Sequence, residues 1–131
     1  MKKISKMVSI LAFGVILASN AAYAASTDYN FQLPSTGSKY TNDVYKQTVS
    51  KVTTNDATYI GWEGSEIDCW TCSTDNKVLS AKSTYSDTGT VSMYMAQSLA
   101  NDYIGNPVNM KIKTSTSTMH ACNVRGSFDP S

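Results

Sequence analysis

The chain has 131 residues and a formal net charge of +1, from eleven basic and ten acidic residues, with one histidine and three cysteines. That length suits one domain, and the near-balanced charge excludes the dense positive surface that nucleic acids and anionic membranes require. The wealth of Ser, Thr and Tyr suits strands and solvated turns.

The N-terminus reads Met1-Lys2-Lys3-Ile4-Ser5-Lys6, then an apolar run from Met7 to Ala18, then Ala22-Tyr23-Ala24. A basic start, a short apolar middle and an A-x-A box form a secretory signal peptide over residues 1–24. The run is too short to span a bilayer, so no stable membrane span is expected after cleavage. No cysteine follows it to carry a lipid anchor. Residues 25–131 are then one secreted, extracellular domain. Three lysines leave with the leader. Eight basic residues remain against ten acidic ones, a net charge near −2. The nearest approach to a basic stripe is Lys111 with Lys113. Nucleic acid is not an expected partner.

Tyr29 to Leu33 alternates apolar and polar residues, which predicts a half-buried strand. Pro34-Ser35-Thr36-Gly37-Ser38 ends it. Tyr45 to Val49 alternates again, with Val52 out of phase as at a bulge. Thr53-Thr54-Asn55-Asp56 reads as a turn. Thr58 to Trp62 and Ile67 to Cys72 are the next strands, separated by Glu63-Gly64-Ser65. After a turn over Ser73-Thr74-Asp75-Asn76, Lys77 to Ser80 returns as a hairpin partner. Ser86-Asp87-Thr88-Gly89 is a turn. Val91, Met93 and Met95 then share one strand face. The fourfold spacing of Met95, Leu99 and Tyr103 allows one turn of helix before Gly105-Asn106-Pro107. Val108 to Lys113 is the clearest amphipathic strand. Ser115 to Thr118 is a polar link, Ala121 to Arg125 the last strand, and Gly126 to Pro130 a tail. Seven or eight short strands at even spacing, with no βαβ unit, predict an all-β fold. The expected architecture is an antiparallel two-sheet β-sandwich.

Three chemistries compete for Cys69-Trp70-Thr71-Cys72. Thiol–disulfide catalysis needs a thiolate stabilised at a helix N-terminus, and here a strand precedes the pair. Structural zinc would use Cys69, Cys72, His120 and Cys122, a Cys₃His set with the right donors. The favoured reading is one disulfide, formed by Cys122 with Cys69 or Cys72. Residues three apart on a strand stand about 10 Å apart, beyond the reach of a disulfide, so Cys69 and Cys72 do not bridge each other. The cysteine left over permits a disulfide-linked dimer.

His120 is the sole histidine, and no nucleophile elbow accompanies it. Glu63, Glu66 and Asp68 lie close in sequence, but so small a domain has little room for the cleft a glycosidase pair needs. They suit a solvated turn better. Trp62, Trp70 and the tyrosines are read first as core, with a carbohydrate or peptide platform as the alternative. No catalytic centre, cofactor or metal is expected.

Phe31-Gln32-Leu33-Pro34, the strand Val108–Lys113 and the close Val124-Arg125-Gly126-Ser127-Phe128-Asp129-Pro130 resemble a family of small secreted proteins of Gram-positive bacteria. These are often encoded beside bacteriocin export genes. Members share a signal peptide, an F-x-L-P start and an x-G-aromatic-x-P close. In this chain the aromatic sits one residue later, and the three cysteines lie outside the pattern. The resemblance implies a setting of bacteriocin-linked secretion and no activity. The expectation is a secreted, non-catalytic binding or accessory protein. Its partner would be an extracellular protein or a cell-envelope component. The rivals are a secreted antibacterial polypeptide and a thiol–disulfide oxidoreductase.

Overall fold

A computed structural model describes residues 26–116, 118 and 120–131. The expected signal peptide lies outside the described residues. Nine strands and one short helix follow in order: β1 (Thr27–Leu33), β2 (Ser38–Tyr40), β3 (Val44–Tyr45), β4 (Val52–Ile60), β5 (Ile67–Ser73), β6 (Ser83–Tyr85), β7 (Gly89–Tyr94), α1 (Gln97–Asp102), β8 (Pro107–Thr114) and β9 (Cys122–Asp129). They form two antiparallel sheets, as the sequence predicts. One has the order β1-β9-β4-β7. The other has the order β2-β8-β5-β6, with β3 also on β8. The sheets pack face to face. Among the described residues, no helix is long and apolar enough to cross a membrane.

Strand alternation sends every second side chain inward. Leu33, Val124 and Phe128 come from the four-stranded sheet, and Ile67, Val108, Met110 and Ile112 from the other. All are fully buried in one cluster. The core also carries polar side chains, some matched across the gap and some along one sheet. The Thr53 and Thr71 hydroxyls meet at 2.6 Å. Tyr29 Oη donates to Asn55 Oδ1 at 2.7 Å. Buried polar groups are tolerated only when paired in this way.

Those pairs explain one correction to the sequence reading. Thr53-Thr54-Asn55-Asp56 is the middle of β4, with no turn. Both its edges are hydrogen-bonded, to β7 and to β9. Thr53 and Asn55 are buried partners of Thr71 and Tyr29, so turn-forming residue types fill a strand. A second correction concerns Tyr45 to Val49. The strand stops at Tyr45, and the backbone then bonds to other segments. Lys46 N donates to Asn106 O, and Gln47 N and Thr48 N donate to Ser131 O. Polarity is inverted here: Lys46 is fully buried and Val49 is exposed. Lys46 Nζ donates to the carbonyls of Ser50 and Pro130, and burial holds its pKa below the usual lysine value.

A third correction is the end of the chain. β9 continues through Gly126 to Asp129. Gly126 faces Tyr29 on β1 and Ala57 on β4. The Tyr29 ring crosses it to reach Asn55, two strands away, and only a residue without a side chain leaves room. The turn at Ser73–Asn76 forms as expected, with Asn76 at φ +69°. Lys77 to Leu79 return beside β5 through a bridge at Val78 and two backbone hydrogen bonds, Ser73 N to Lys77 O and Leu79 N to Thr71 O, short of a regular strand. The helix is one short segment after Met95. The edge strands β2 and β6, of three residues each, are too short to show alternation in the sequence.

Candidate binding face

The outward side of the five-stranded sheet carries a row of three side chains. In register, Trp70 on β5 stands opposite Lys111 on β8, and Lys111 stands opposite Tyr40 on β2. Paired residues on neighbouring strands share a face, so the row reads aromatic, cation, aromatic. Lys111 Nζ lies 5.2 Å from the centre of the Trp70 ring, a cation–π distance. Tyr40 is 40 % exposed. The next row reads Ser38, Lys113, Asp68 and Thr84 across four strands. Asp68 is buried there, accepting from Thr84 Oγ1 at 2.7 Å, with Lys82 Nζ at 3.9 Å. These rows thus hold two lysines, Lys111 and Lys113, and one carboxylate, with Lys82 beside Asp68 and the Asp43 carboxylate accepting from Asn109 Nδ2 at 3.1 Å farther along β8. Lys113 also lines a groove with Ser35, Thr36, Gly37 and Ser115.

The tryptophans are the largest departure from the sequence reading, which placed them in the core. Trp70 is half-buried on the outer face, and Trp62 is 54 % exposed. Trp62 follows β4 in a turn and stacks on His120, with ring centres 3.7 Å apart. Among the described residues the buried aromatics are Tyr29, Tyr85 and Phe128. The opposite outer face, on the four-stranded sheet, mixes polar side chains with the exposed Tyr59 and Tyr94. It exposes Asp28, Asn30, Gln32 and Asn123, and its Tyr59 ring is covered by Arg125 at 4.5 Å.

The cysteines do not converge. Cys69 faces the core, where it accepts a long contact from Asn55 Nδ2 at 3.8 Å. Cys72, three positions later on β5, faces the outer side beside Asn109 and Lys111. Cys122 faces the core from β9, opposite Leu33. Leu33 lies four residues, about 13 Å, along β1 from the Tyr29 that anchors the Asn55–Cys69 contact. All three are buried free thiols. The expected disulfide of Cys122 with Cys69 or Cys72 is therefore not formed in this structure. Cys72 is on the far side of its sheet, and Cys69 lies at another level of the core. The same geometry separates the zinc alternative of Cys69, Cys72, His120 and Cys122. Among the described residues no three His, Cys, Asp or Glu side chains form a metal-binding group. Burial pushes the Cys69 thiol up to about 12, against a partial offset from Asn55. Burial also raises Cys72, against the opposing influence of Lys111.

Glu63, Glu66 and Asp68 are also separated. Glu63 is exposed in the turn, the Glu66 backbone N–H donates to Thr118 Oγ1 at 3.0 Å, and Asp68 belongs to the lysine-bearing rows. Lys111 and Lys113 were visible in the sequence as the outward phase of one strand. Tyr40 was not, because its strand is too short to announce a face. No family model, curated protein or solved structure matches the chain.

Proposed function

We propose that this chain is a secreted, non-catalytic binding protein, accessory to a bacteriocin system, and that it binds through the outer face of its five-stranded sheet. The observation that carries this reading is the placement of Trp70, Lys111 and Tyr40 in one row outside the core. Tyr and Trp are enriched where proteins meet their partners. The thiols support the non-catalytic half of the reading. Catalytic cysteines have lowered pKa values and open surroundings, whereas Cys69 and Cys72 are buried, raised and on opposite faces. The setting in bacteriocin-linked secretion rests on the sequence resemblance alone.

The test is retention of the purified, fluorescently labelled chain on washed cells of Gram-positive strains. Wild type is expected to stay with the cells, and the double variant Tyr40→Ala, Lys111→Gln to wash off. Equal retention of both, or none of either, refutes the reading. Growth inhibition of the same strains at the retained dose would make the chain itself the antibacterial agent.

A further inference from the structure

We infer that two copies of this chain pair along β1, antiparallel about Asn30, into a dimer. The backbone sets which groups are free to do so. Gly61 N donates to Asn123 O, so Asn123 and every second residue of β9 turn their backbone groups toward β4. Cys122, Val124, Gly126 and Phe128 turn theirs toward β1, onto Leu33, Phe31, Tyr29 and Thr27. The N–H and C=O groups of Asp28, Asn30 and Gln32 therefore point away from the sheet, and all three residues are exposed. The other edges are closed or short. The free side of β7 takes Ala81 N on Tyr94 O and the Ser83 hydroxyl on Ser92 O. Strands β2, β3 and β6 have three residues or fewer. β1 runs seven residues in unbroken register with β9. It holds none of the lysines, prolines or bulges that blunt an edge.

An edge of this kind recruits a strand. Among the described residues no strand of the chain lies on that side of β1. With the proposed leader cut after Ala24, only Ala25 and Ser26 precede β1, too few to fold back along it. The sequence of β1 fits a second copy of itself. With Asn30 opposite Asn30, Asp28 meets Gln32 of the second copy, Tyr29 meets Phe31 and Thr27 meets Leu33. No charge faces a like charge. The pairing uses every outward group of the three residues, in about six backbone hydrogen bonds. On the core side Phe31 is only partly buried, stacked on Tyr29 at 5.6 Å. The same two rings of the second copy extend that stack across the joint. Paired residues share a face, so the twofold axis stands perpendicular to the sheet. The two four-stranded sheets merge, and both five-stranded sheets lie on one side of the merged sheet. Both rows of Trp70, Lys111 and Tyr40 then face one surface, a bivalent arrangement. The pairing itself does not depend on what those rows bind.

Sedimentation equilibrium of the purified chain reads the association, with reductant present so that no disulfide links copies. Wild type is expected to move from the monomer mass to twice that mass as concentration rises to about 1 mM. Asn30→Pro removes the two central donors, one per copy, and should weaken association roughly tenfold. Asn30→Lys sets two cations face to face and should weaken it about threefold at low salt, with recovery as salt is raised. Asn30 is exposed, and thermal unfolding checks that each variant keeps the fold. Amide exchange at Asp28, Asn30 and Gln32 should slow as wild type is concentrated. A wild type that stays monomeric, a dimer that neither variant weakens, or exchange at those amides that ignores concentration overturns the proposal. If retention on cells still depends on Tyr40 and Lys111 after such a result, the binding reading stands without the dimer.

Discussion

Gly126→Ala isolates the tightest packing in the molecule. A methyl group added at Gly126 would stand 2.4 Å from the Asp56 carbonyl oxygen, 2.7 Å from Tyr29 Oη and 2.9 Å from Tyr29 Cζ. The Asp56 carbonyl belongs to β4, which is held on both edges by β7 and β9, so it has no freedom to retreat alone. Either β9 bows outward or the Tyr29 ring swings away. Overpacking of this kind costs about 1–3 kcal/mol. If the ring swings, the 2.7 Å bond to Asn55 is lost, and a buried amide left unpaired costs about 1–3 kcal/mol more. Replacing a strand glycine returns roughly 0.5–1 kcal/mol of backbone entropy. The expected net destabilisation is about 2–4 kcal/mol, a fall in Tm on the order of 10–20 °C for a domain this size. The control is Gly64→Ala. Nothing lies within 4 Å of an added methyl there, but φ is +83°, so the cost is about 1 kcal/mol of backbone strain. Thermal unfolding followed by far-UV circular dichroism measures both. Tyr29→Leu in the Gly126→Ala background should cost less than in wild type, because the ring is part of the clash. If Gly126→Ala melts at or above Gly64→Ala, the packing argument is wrong.

Three further expectations follow from buried groups. Lys46→Met removes the donor to the Ser50 and Pro130 carbonyls and should destabilise by about 2 kcal/mol through unpaired carbonyls; unchanged urea midpoints would show that the lysine contributes nothing net. Stability should hold up to about pH 9 and then fall toward pH 12, because Cys69 and Tyr29 are raised from 9.0 and 10.0 to about 12 on folding. The folded state keeps those protons while the unfolded state releases them, so alkali favours unfolding. Lys46, lowered by burial, gives a slope of opposite sign below 10.5, so the measurement is the urea midpoint against pH for wild type and Cys69→Ala. Tyr85 and Cys72 are raised by burial as well, so the variant should decline less steeply above pH 9 without losing the decline, and identical profiles would refute the assignment. Cys69, Cys72 and Cys122 are each no more than 2 % exposed, so a thiol reagent should label none of them in the native chain and all three in non-reducing denaturant. Only one labelled thiol would restore the disulfide expected from the sequence.

The sequence by itself determined the class of the fold. Period-two alternation in Tyr29–Leu33, Val91–Met95 and Val108–Lys113 survives any tertiary context, because inward positions on a strand must be apolar when one face is covered. It also placed Lys111 and Lys113 outward. Tertiary structure decided where alternation is carried by polar residues or is too short to see. Thr53 and Asn55 look like turn residues until Thr71 supplies a hydrogen bond from the opposite sheet and Tyr29 one from two strands away in the same sheet. Lys46 looks like surface until two carbonyls close on its ammonium group. Gly126 looks like the end of a strand until the Tyr29 ring needs the space above it. Trp70 looks like core by its size, yet the phase of β5 is fixed by Ile67, Cys69 and Thr71 facing the opposite sheet, which turns Trp70 outward. The candidate face depends on that phase and on Tyr40, which reaches it only because a three-residue edge strand pairs with β8. Register between strands distant in sequence assembles the row, and no local pattern encodes it.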